Sequence, residues 1–176
     1  MGFQYTLSQL KNIAWLFYCD LIHVHHYAAG EHFEDIHGLS DHYLAIAYEN
    51  MDYFAEKAIA KKESVTNGAT IQQHVSDDIW MPETSTSYTL DQFIIFLRNK
   101  GGDYIEALKN ARAEPDVKSK IDEMLDFWTS EIEYKNEQKS ALEAAQDMTL
   151  TLNPNETEIP KVNYSQPDDI FPGLAV

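Results

Sequence analysis

The chain has 176 residues, 44% of them hydrophobic and 12% aromatic, which is enough to bury one core, so a single domain is expected. Its 29 acidic residues against 13 lysines and arginines give a formal net charge of −16, which argues against a protein that grips nucleic acid through clustered bases. No apolar run reaches the roughly 18 residues of a membrane span and the one cysteine, Cys19, provides no disulfide framework, so a soluble cytoplasmic protein is expected, with Cys19 as a small buried hydrophobe.

Residues 6–29 read as the first helix. Thr6 followed by Gln9 makes a capping box, and Leu7, Leu10, Ile13, Ala14, Phe17, Leu21 and Val24 recur at helical spacing as a core stripe. The first ten residues carry no base, and the last thirty carry only Lys161, so neither end offers the basic cluster that DNA binding needs. The acid excess also creates a field that attracts cations.

Gly30 interrupts the pattern and marks a turn, after which 33–62 reads as the second helix. Within it His37, Asp41, Asp52 and Glu56 fall at about 0°, 40°, 60° and 100° around a helix axis, so all four share one quadrant. Charged residues at this spacing commonly mark only a solvated face. Along the axis, however, Asp41 and Asp52 are roughly 16 Å apart and His37 and Glu56 roughly 28 Å, so one chain cannot gather the four around one metal site. An antiparallel second copy removes the difficulty. His37 with Glu56 and Asp41 with Asp52 have the same number sum, so both pairs imply one two-fold axis, between Ile46 and Ala47, and two equivalent sites per dimer. Ala45 and Tyr48 obey the same rule, a small residue facing a large one.

With His25, Gly30 and Phe33 added, the spacing H-x4-G-x2-F-x3-H-x3-D-x10-D-x3-E resembles the ferroxidase signature of the Dps-type miniferritins, covering about a fifth of the chain. The resemblance implies an all-α, ferritin-like four-helix bundle with a short extra helix between the second and third helices, assembled as a homo-oligomer from two-fold dimers up to a dodecamer. It implies a two-iron site in which His25, His37 and Asp41 of one subunit act with Asp52 and Glu56 of its mate, oxidising Fe(II) with peroxide or dioxygen and storing ferric mineral. The family commonly carries Trp directly after the first ligand histidine. Here that position is His26, which, like Tyr48, is expected beside the site. Glu34 and His37 make one Glu-x-x-His pair, but no second pair occurs in 115–147, so an intrachain di-iron site cannot be completed. The rival reading is a structural or interaction protein on the same helical scaffold, with no significant ferroxidase activity.

Residues 63–69 are a linker with a turn at Asn67 and Gly68, and 70–79 read as the short extra helix. After the polar loop 81–88, Thr89 with Gln92 makes a second capping box. It opens a third helix carrying Phe93, Ile94, Phe96, Leu97, Ile105 and Leu108, in which Gly101 and Gly102 predict a kink or break. Pro115 suits the first turn of a last helix that buries Val117, Ile121, Met124, Leu125, Trp128 and Ile132. By the same resemblance, Asp116 and Asp122 fall near the segment that lines three-fold pores. The bundle is expected to end at residue 146, and 147–176, with four prolines and an apolar end, read as a strap over this subunit or a neighbour, with a docking peptide for another protein as the alternative.

Overall fold

The computed structural model describes residues 4–67, 71, 80, 82–112 and 114–152, the last of these with backbone only for 134 and 136–152. Two compact units result, Met1–Gln138 and Lys139–Val176. Among the described residues the secondary structure is helical, with isolated bridges Tyr5–Ala111 and Ala28–Tyr88 and no strand. Among these residues no helix is long and apolar enough to cross a membrane.

Helix α1 (Leu7–His26) starts where the capping box predicts. The Gln9 amide N–H donates to Thr6 Oγ1 at 3.3 Å, and the Thr6 N–H donates to Gln9 Oε1 at 2.9 Å. All seven residues of the expected core stripe are buried. Gly30, at φ +87°, makes the turn into α2 (Phe33–Ala60), a left-handed conformation that costs glycine little. At the other end of α2 the Lys62 N–H donates to Ile59 O and the Glu63 N–H to Ala58 O, a paired closure that puts Lys62 at φ +60°.

The third helical run comprises α3 (Leu90–Phe96), a π-turn (Leu97–Gly101) and α4 (Gly102–Lys109). The Thr89 N–H donates to Gln92 Oε1 at 2.9 Å, as the second capping box requires. The glycine pair predicts an interruption, and it takes the form of the π-turn rather than a break. A Cβ at Gly101 would lie 2.6 Å from Ile132 Cδ1, so a side chain there would require the end of the isoleucine to shift. Helix α5 (Pro115–Leu152) begins at the proline expected and runs six residues past the expected end, since nothing before Pro154 forbids continuation. The second unit is, among the described residues, this helix end. The expected short helix 70–79 falls outside the described residues except Ile71, which is helical and buried, and the strap from 153 onward falls outside them altogether.

Contacts along the helices fix their directions in the first unit. His25 meets Asp41 near one end of the α1–α2 pair and Ser8 meets Glu63 at the other, so the two are antiparallel. The 90–109 run is antiparallel to α1 as well, with Tyr88 beside Ala28 and Ala111 beside Tyr5. Helix α5 is antiparallel to α2, with Asp116 at Lys61 and Glu131 at Tyr43. The order is therefore up, down, down, up, and the connection between α2 and α3 must travel the length of the bundle.

Phe17 lies at the centre, its ring 5.0 Å from Trp128, 5.1 Å from Tyr104, 6.2 Å from Trp80 and 6.3 Å from Phe96. Burying rings of this size supplies much of the driving force for packing. Asp20 and Lys100 are among the charged residues buried with this core. The Asp20 carboxylate accepts from Trp80 Nε1 at 2.6 Å and from the Glu83 N–H at 3.0 Å, while Lys100 Nζ sits 4.9 Å over the Trp80 ring. Burial raises the Asp20 pKa, and the two hydrogen bonds and Lys100 oppose the rise. Cys19 is half-buried rather than buried.

Candidate metal centre

Three of the five expected ligands come together. His25 stands in the last turn of α1 and His37 and Asp41 one turn apart in α2, which the antiparallel packing brings alongside. His25 Nδ1 lies 3.3 Å from Asp41 Oδ1, His37 Nδ1 lies 4.0 Å from Asp41 Oδ2, and the two imidazole rings are 3.7 Å apart between centroids. One donor atom from each of the three lies within 4.8 Å of the others. Two imidazoles and one carboxylate form the donor mixture that suits divalent iron with open coordination positions.

The cluster is buried on the α1 side and open on the other. The side chain of His25 is 18% exposed, that of His37 38% and that of Asp41 62%. Phe33 packs its ring 5.2 Å from His37. The hydroxyl of Ser40, fully buried, lies 3.2 Å from His25 Nδ1 and donates to the His37 carbonyl at 2.9 Å. Spacing alone does not single out Ser40. The available signal is a mid-helix serine on the buried side of α2, where a hydroxyl must find a partner.

Asp52 and Glu56 do not join the cluster within the chain. Both are exposed on α2, further along the face that carries Asp41. Tyr48, half exposed, packs on Tyr18 at 6.0 Å and lies two helical turns from Asp41, so within one chain it is not beside the cluster. His26 is exposed, its ring edge-on to His25 at 5.7 Å. The neighbouring histidines have other partners: His23 Nε2 pairs with Ser85 O at 2.6 Å, His32 with Asp35 at 3.3 Å, and His42 with the Phe127 ring at 6.1 Å. Glu34 is exposed on α2. Asp116 lies 3.3 Å from Lys61 and Asp122 2.9 Å from Lys118, so each pore candidate is exposed and has a lysine beside it.

On α2, Glu34, Gly38, Asp41, Ala45, Tyr48, Asp52, Glu56 and Ile59 are all exposed and trace one continuous stripe. Within it Tyr48 and Ile59 are 50% and 65% exposed. The chain matches no protein-family model and no curated protein.

Proposed function

We propose that the chain is a Dps-type, ferritin-like miniferritin that oxidises Fe(II) with peroxide or dioxygen and sequesters the ferric product. The observation that carries this reading is the convergence of His25, His37 and Asp41 from two helices beside a continuous exposed stripe bearing Asp52 and Glu56. The up-down-down-up order with one long crossover supports it, because that is the connectivity of ferritin-like bundles.

In this reading the stripe on α2 packs against the same stripe of a second copy about a two-fold axis at Ile46 and Ala47. Asp52 and Glu56 of the mate then meet His37 and Asp41, and the ligand set is completed twice per dimer. The same register sets Tyr48 against Ala45 and Ile59 against Glu34, so the exposed apolar groups become interface. Fe(II) is the substrate. The imidazoles bind it as neutral borderline donors and the carboxylates as hard ones, leaving positions for the oxidant. The net charge of −16 favours cation approach and the carriage of iron inward.

Two measurements on the full chain test the proposal together. Solution mass should be a multiple of the dimer, and Fe(II) addition should consume peroxide or dioxygen in proportion to protein. A monomer that consumes neither would leave the rival reading, a structural or interaction protein on this scaffold.

A further inference from the structure

The geometry points to Ser40 as a positioning residue that fixes the tautomer of His25 and so decides which ring nitrogen faces the metal. This inference rests on the metal-site reading and adds to it a residue outside the ligand set.

The Ser40 hydroxyl donates its only hydrogen to the His37 carbonyl at 2.9 Å, which satisfies that helix carbonyl from within the same turn. What the oxygen then offers His25 Nδ1, 3.2 Å away, is lone pairs. A bare Nδ1 would set lone pair against lone pair in a site without water access to Ser40, which is fully buried. Nδ1 therefore carries the hydrogen and Nε2 keeps the lone pair that a metal needs.

Asp41 Oδ1, 3.3 Å from the same Nδ1, favours the same tautomer. Its carboxylate is 62% exposed, however, so water competes for it. Ser40 is the acceptor that stays. One hydroxyl thus links both imidazole ligands, holding His37 through its backbone and His25 through its ring, a connection that aligns donors from α1 and α2 before any metal arrives.

The test uses Zn(II), a redox-silent ion that takes the same donors, with long-range proton–nitrogen NMR of the imidazoles in the full chain. In the metal-free protein His25 should be protonated at Nδ1, and Zn(II) should shift Nε2. Ser40→Ala should lower the Nδ1–H population and weaken Zn(II) binding by about tenfold to a hundredfold at unchanged helix content, while Ser40→Thr, which keeps the hydroxyl, should stay within about threefold of the parent. Protonation of His25 at Nε2 in the parent protein would overturn the inference. So would Ser40→Ala binding Zn(II) as tightly as the parent. Either result leaves the metal site standing if the parent binds Zn(II), whereas failure of the parent to bind it overturns the site and this inference together.

Discussion

Asp41 and Asp52 are both exposed on one face of α2, separated by three turns of helix, roughly 16 Å, with Asp41 beside two imidazoles and Asp52, among the described residues, in no such cluster. That asymmetry leads to the first prediction. Asp52→Ala and Glu56→Ala should each cut Fe(II) oxidation at least tenfold while leaving the thermal midpoint within a degree or two, because exposed helix positions contribute little to folding. Oxygen uptake and calorimetry on the same samples check both halves.

Lys62 holds a left-handed conformation at φ +60° to close the end of α2. A side chain in that region costs about 1 kcal/mol that glycine avoids, so Lys62→Gly should stabilise the protein by up to about 1 kcal/mol in denaturant unfolding. A loss of stability would show that the Lys62 side chain makes a compensating contact.

Gly101 and Ile132 form a close pair, with an added Cβ 2.6 Å from Ile132 Cδ1. Gly101→Ala should therefore destabilise by about 1 to 3 kcal/mol despite its better helix propensity, since the isoleucine must leave its position. Ile132→Val removes the clashing methyl. In the double variant the cost should fall, giving a favourable coupling on the order of 1 kcal/mol in a double-mutant cycle.

Burial raises the Asp20 pKa above its unfolded value, so protonation is more favourable in the folded state than in the unfolded chain. Its stabilising contribution is then complete below about pH 4 and is lost as pH rises through the folded pKa. Asp20→Asn should gain on the parent protein in unfolding free energy as pH goes from about 4 to 7. A difference constant with pH would mean that the hydrogen bonds from Trp80 and Glu83, with Lys100, balance desolvation, and a difference that moves the other way would mean that they outweigh it.

How much of this was legible in the sequence depended on whether the signal was local. Both capping boxes, the Gly30 turn, the core stripe of α1 and Pro115 rest on neighbours a few residues apart, and each is where spacing puts it. His37 and Asp41 share a face for the same reason. His25 was different, because its place beside Asp41 depends on how α1 packs on α2, and it entered through a resemblance rather than through periodicity. The buried set of Asp20, Trp80 and Lys100 escaped altogether, since sixty and eighty residues separate Asp20 from its partners and none carries a helical-spacing signal. Lys62 escaped because nothing local distinguishes a lysine about to turn left-handed. The end of α5 was placed early because 147–152 lack a clear apolar stripe, whereas helix continues wherever no residue stops it.

The proposed site is built from two chains, and mixing two inactive variants tests this most directly. In a dimer of His37→Ala with Glu56→Ala, both lesions fall into one site and the other keeps every ligand. Co-refolded mixtures should recover Fe(II) oxidation to roughly a quarter of the parent rate, since random pairing makes half the dimers mixed and each has one intact site of two. Either variant alone should stay near zero. No recovery in mixtures shown by mass to contain mixed dimers would contradict the shared site.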